Sequence, residues 1–255
     1  MFPKNILQSV LFTIILMVTS FVVHAFFDFF VESKTNFSLL MRTLFSYVLP
    51  YVVLSYLAKK KITDYSLSNT KYSISFLLIL ISLTFTLTIG LPSFYLLSNF
   101  FNNTITLIDN ISLIFSLVSI AILPAIFEEL IIRGILFDNL IKNNSLIKSI
   151  IITTIIFSAI HMSIPKLPML VLGAVFTCYI YYKTRNILYA MLIHLTANTI
   201  SVFEYLLVQP TTGSVTLLNI YGSNTIFILI VSFLLLMISL YRLRQQMKIH
   251  HNVVY

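Results

Sequence analysis

The sequence has 255 residues, of which 58% are hydrophobic and only 9% charged. A water-soluble domain carries about 25% charged residues, so this chain cannot clothe its surface with polar groups, and lipid has to be part of its solvent. The net charge of +8 does not point to nucleic acid, because the basic residues stand in short clusters between apolar runs; the one cysteine, Cys178, rules out a disulfide framework and a cysteine metal site.

A spanning helix needs about 20 apolar residues. The sequence predicts an all-α, polytopic membrane helical bundle of about eight transmembrane helices, near 6–27, 37–58, 72–98, 111–141, 146–163, 167–182, 187–208 and 224–241. The first run is too long for the apolar core of a signal peptide, and no small-residue cleavage site follows it. Its His24 and Asp28, four residues apart, read as an interfacial pair, and Arg42 of the second run reads as a snorkelling side chain. The fourth run is too long for a simple span, so its tail from Asp138 to Lys142 is expected to emerge into water. Cys178 reads as core, Glu204 as lying near the outer surface, and His250 and His251 as solvated in the tail. With no internal repeat and no Gly/Ser linker, one membrane domain over 1–255 is expected.

Lys and Arg give the orientation. Lys59, Lys60, Lys61 and Lys71, then Lys142 and Lys148, then Lys183 and Arg185 occupy alternate connections, and Arg242, Arg244 and Lys248 follow the last run. These clusters share one side only if the number of spans is even, which predicts an integral membrane protein with both termini cytoplasmic.

Ionisable groups in mid-membrane are costly, and each is a functional hypothesis. The densest set is Glu128, Glu129 and Arg133 in the fourth run. At about 100° per residue, Arg133 lies about 40° around the helix from Glu129 and about 140° from Glu128. A salt bridge Glu129–Arg133 is therefore expected, with Glu128 left as the available carboxylate. In the fifth run stand Phe157 and His161. Glu128 precedes the turn near residue 145 by about as many residues as His161 follows it, so an antiparallel hairpin brings them to nearly one depth. In the seventh run His194 and Asn198 share a face. Together these residues predict a hydrolytic site. Glu128 and His161 hold and deprotonate a water. His194 and Asn198 donate to the oxyanion. Glu129–Arg133 orients the turn from behind, and Phe157 packs against the His161 ring.

These three segments, Glu128-Glu129…Arg133, Phe157…His161 and His194…Asn198, resemble in order the EExxxR, FxxxH and HxxxN motifs of the CAAX protease and bacteriocin-processing family, also called Abi-domain proteins. The likeness is specific over about 120–200, inside an expected catalytic core of about 111–208. It implies an intramembrane endopeptidase in which Glu128 and His161 activate water. The substrate it implies is a membrane-associated peptide or protein in the lipid bilayer, of a pheromone, bacteriocin or CAAX type, with bacteriocin processing and quorum sensing as settings. The Ile-, Asn- and Lys-rich composition suggests a bacterial cell membrane. A metal-free, glutamate-based site is expected. The alternative is zinc held by Glu128, His161 and His194, a His₂Glu set with one open position. Two non-hydrolytic readings also fit the residues: an immunity or scaffold protein of the same fold, and a proton-coupled transporter.

Overall fold

The computed structural model describes residues 2–31, 35–65, 70–101, 112–207 and 221–251. Eight helices account for most of them: α1 (Ile6–Phe30), α2 (Asn36–Ala58), α3 (Tyr72–Phe100), α4 (Leu113–Leu140), α5 (Leu146–Ile160), α6 (Leu167–Thr184), α7 (Ile187–Leu207) and α8 (Thr225–His251). No strand occurs among the described residues. The molecule is a polytopic helical bundle.

Seven of these helices are long and apolar enough to cross a membrane. The eighth, α5, is apolar but shorter. α5 has 15 residues, about 22 Å of helix, against a hydrocarbon core of about 30 Å. Its fifth-run sequence stays apolar to residue 163, but the helix stops at Ile160. Met162 then takes a left-handed backbone, φ 45°, which ends a helix by redirecting the chain. α5 packs beside α4 and against α1 and α6.

The outer faces are apolar. α1 buries only Ser9, Phe12 and Val23, while Leu7, Phe21 and Phe29 face outward. Patches of that extent are not carried in water. The inner face of α4 holds the centre of the bundle, where Ile131, Ile132, Ile135 and Leu136 pack with Phe12, Leu54, Phe157 and Ala174.

Helices α3 and α4 are interrupted by wider π turns at Thr86–Gly90 and Leu117–Ile122. Each precedes a proline, Pro92 and Pro124. A proline ring clashes with the carbonyl four residues earlier, here those of Thr88 and Ile120, and widening the turn relieves that clash. A third π segment, Leu130–Phe137, contains no proline, and all of its residues are buried. Its Gly134 admits the Tyr65 ring: a Cβ there would lie 2.3 Å from Tyr65 Cε1. Burial raises the Tyr65 phenol above its ordinary range, so it packs as a neutral ring.

The tail of α4 reaches solvent at Lys142, as the sequence suggested, but not at its start. Asp138 and Asn139 are buried. Asp138 accepts from Lys60 at 2.6 Å, Lys142 at 2.8 Å and Arg185 at 3.1 Å. Asn139 donates to the Phe2 carbonyl at 2.8 Å and Asn144 to that of Lys4 at 2.9 Å. The three basic turns and the N-terminal residues thus meet at one end of the bundle. His24 and Asp28 do not pair with each other. His24 Nδ1 lies 2.9 Å from the Ser20 carbonyl, and Asp28 bridges to Arg42 at 2.9 Å, so Arg42 ties α2 to α1 instead of reaching alone for water. Cys178 is fully buried. The side chains of His250 and His251 lie outside the described residues.

Candidate active site

Glu128 and Glu129 end the α-helical stretch of α4 that leads into the third π segment. Adjacent positions on a helix diverge by about 100°, and the two carboxylates have different surroundings. Glu129 is 1% exposed; its Oε1 accepts from Arg133 at 2.9 Å, the salt bridge read from the spacing. Arg133, equally buried, also donates to Thr177 Oγ1 on α6, and its guanidinium lies 4.6 Å from the centre of the Phe157 ring. A buried arginine with a carboxylate, a hydroxyl and an aromatic face around it has most of its charge compensated inside the bundle.

Glu128 turns toward the histidines. Its Oε2 lies 3.7 Å from His161 Nε2 and 3.9 Å from His194 Nε2. The hairpin between α4 and α5 thus sets Glu128 and His161 side by side, as equal depth required. His161 is not within a helix, however: it caps α5, and its Nδ1 lies 2.7 Å from the Phe157 carbonyl. A carbonyl only accepts, so Nδ1 carries a proton, and Nε2 is the nitrogen that faces Glu128.

His194 reaches the cluster from α7. Its Nδ1 lies 2.8 Å from Glu129 Oε1. That carboxylate also accepts from Arg133, so it accepts a hydrogen bond from Nδ1–H and leaves Nε2 facing Glu128. Phe157 packs between the rings, with its centroid 4.7 Å from that of His161 and 6.1 Å from that of His194, both edge-on. Asn198, four residues beyond His194, makes no hydrogen bond to this cluster.

Tyr47 was missed in the sequence. It sits at the midpoint of α2, and its hydroxyl donates to Glu128 Oε1 at 3.1 Å. Its ring lies parallel to Phe127 with centroids 6.3 Å apart, and Tyr51 meets Phe127 edge-on at 5.9 Å. The available signal was a phenol in the middle of a span, where no bulk water can satisfy its hydroxyl. Thr177, the hydroxyl beneath Arg133, carried no comparable signal.

Glu128 is thus fixed through one oxygen, while the other lies buried without a protein hydrogen bond and faces two imidazole nitrogens. Spacings of 3.7 and 3.9 Å exceed a direct hydrogen bond. They suit a water about 2.8 Å from Oε2 and from either ring nitrogen. Nitrogens whose opposite Nδ1 is held by a carbonyl or a carboxylate are also how histidines are oriented toward zinc. Among the described residues, no three His, Cys, Asp or Glu side chains meet at metal-ligand spacing.

The fold and this cluster define a polytopic membrane protein with a buried carboxylate–histidine site. Residues 110–200 match the family model of the type II CAAX prenyl endopeptidases, described as Rce1-like, and the resemblance to the CAAX protease family carried by the three motifs holds over that stretch. No curated protein and no solved structure matches the chain. The matched stretch contains Glu128, Glu129, Arg133, Phe157, His161, His194 and Asn198. It makes the chain similar to a CAAX-type intramembrane endopeptidase, with a membrane-associated protein as the general class of substrate.

Proposed function

We propose that the protein hydrolyses a peptide bond of a membrane-associated peptide or protein, using water activated by Glu128. The observation that carries this reading is the Glu128 carboxylate, held at Oε1 by Tyr47 and turned at Oε2 toward His161 and His194. A water in that angle donates to Oε2 and attacks a substrate carbonyl as Glu128 takes its proton. The proton passes from Glu128 to one imidazole Nε2, and that imidazolium delivers it to the leaving amine, which restores the Glu128 carboxylate. His194 is suited to this step, because Glu129 compensates an imidazolium through Nδ1. The opposite end of the transition state is assigned to Asn198, whose amide, one turn beyond His194 on α7, would donate to the oxyanion.

Zinc is the second reading, favoured by the two Nε2 atoms aimed at one carboxylate oxygen. Glu128, His161 and His194 would be its ligands, and the ion would supply Lewis acidity for the attacking water. An immunity or scaffold protein of the same fold would leave the undersatisfied Glu128 without a task, and a proton relay would require a polar path beyond this cluster.

The buried site and the amide shielding of a helix together require an extended substrate segment. The probes are two internally quenched peptides, a farnesylated one ending in a CAAX sequence and an apolar leader peptide without a lipid. Purified protein in detergent should release fragments from at least one, seen by mass spectrometry, and keep its rate after phenanthroline treatment and removal of metals. Cleavage of neither contradicts the proposed activity; loss of rate on chelation and recovery with zinc replaces the metal-free mechanism.

We propose further that both termini are cytoplasmic in a bacterial cell, a reading supported by the basic turns that meet around Asp138 at one end of the bundle. A single cysteine at position 145, in a Cys178→Ala background, should react with an impermeant reagent only from the cytoplasmic side. Reaction only from outside reverses the orientation.

A further inference from the structure

We infer that Tyr47 is a positioning residue for the water-activating carboxylate, so that the site extends outside the family-like stretch onto α2. The inference rests on the hydrolytic reading of Glu128. A free carboxylate on a glutamate side chain rotates about three bonds, and each rotation moves Oε2 relative to His161 and His194. Three contacts restrict it here. The Tyr47 hydroxyl donates to Oε1 at 3.1 Å. The Tyr47 ring is itself held in parallel contact with Phe127, the neighbour of Glu128 in the chain, at an interplanar angle of 11°. Tyr51, one turn further along α2, closes the other side of Phe127 edge-on.

The division of labour between the two oxygens follows from this geometry. Oε1 is used by Tyr47, so Oε2 is the atom left to accept a proton from water, and it is the atom that faces both imidazoles. Glu129 is the internal contrast: its Oε1 takes both Arg133 and His194, and α2 makes no hydrogen bond to it. The two carboxylates are thus distinguished by the helix that approaches each one. Residues 110–200 alone contain both glutamates but not the hydroxyl that orients Glu128.

Tyr47→Phe removes one oxygen and keeps the ring in its contact with Phe127. Its kcat on the cleaved probe peptide should fall about 10–100-fold, the usual cost of losing a group that orients a reacting one. Substrate binding is untouched, so KM should stay within about twofold, and the melting temperature in detergent should stay near that of the wild type. An infrared comparison reads the contact without substrate. The Glu128 carboxyl band, assigned as the one lost in Glu128→Gln, should shift in Tyr47→Phe. An unmoved band, an unchanged kcat, or a Tyr47→Phe protein that no longer stays monodisperse would overturn the inference, the last because the hydroxyl would then be a folding element. If the wild type cleaves neither peptide, the hydrolytic reading falls, and the band alone decides whether Tyr47 sets the Glu128 carboxylate.

Discussion

Helix α4 carries two buried acidic sites a few turns apart, and they are built on opposite rules. At Asp138 three cations from three different turns converge on a single carboxylate. At Glu128 no Lys or Arg approaches, and the partners are a phenol and two imidazoles, the imidazoles beyond direct hydrogen-bond distance. The first arrangement saturates the carboxylate and ties the α2–α3, α4–α5 and α6–α7 turns together. The second holds the carboxylate in place while leaving one oxygen able to accept a proton. Glu129 stands between them: its Oε1 is held by Arg133, as Asp138 is held by cations, and also meets His194 of the second site, while its Oε2 is buried without a hydrogen bond. A fixed cation on the carboxylate marks the groups that hold the bundle, and a carboxylate without one, its unsatisfied oxygen turned toward two imidazoles, marks the group available for chemistry.

Glu129→Gln tests this contrast with the largest expected effect on folding. It leaves Arg133 buried without its counter-charge, which costs about 3–5 kcal/mol, and releases His194 from its orientation. Both the melting temperature in detergent and the cleavage rate should drop; a variant with wild-type stability would show that Arg133 is adequately held by Thr177 and Phe157 alone. Asp138→Asn comes next. It weakens three hydrogen bonds from cations, two of which are largely exposed (Lys142 43%, Arg185 52%), so the loss should be about 2 kcal/mol. Cleavage by the folded fraction should remain within about twofold of the wild type, because no Asp138 contact reaches Glu128. A large loss of kcat without loss of stability would mean that the two sites are coupled along α4.

Much of the membrane-embedded arrangement was legible because it depends on depth, and depth can be counted along a helix. The positions of seven spanning helices, the Glu129–Arg133 pair and the meeting of Glu128 with His161 all follow from rise per residue and hairpin symmetry. What escaped depends on the rotation of one helix against another that is not its neighbour in sequence. Tyr47 is at the right depth, but nothing in the chain says that α2 turns it toward α4. His194 was read as an oxyanion donor, while its Nδ1 is committed to Glu129. The end of α5 was misjudged because residues 161–163 are as compatible with a helix as with the left-handed turn that Met162 makes. Asp138 was read as solvated because charge at a helix end usually is, as it is for Lys142; Lys60 and Arg185, which cover Asp138, come from turns distant in sequence.

The central claim is that Glu128, and not the cation-paired acids Glu129 and Asp138, performs the chemistry. It is tested most directly by purifying wild type, Glu128→Gln and Asp138→Asn and measuring cleavage of the same probe peptides at matched folded concentration. The account predicts no enzymatic cleavage by Glu128→Gln at a wild-type melting temperature, and near-wild-type cleavage by Asp138→Asn at a lowered one. Cleavage by Glu128→Gln at the wild-type rate would contradict it.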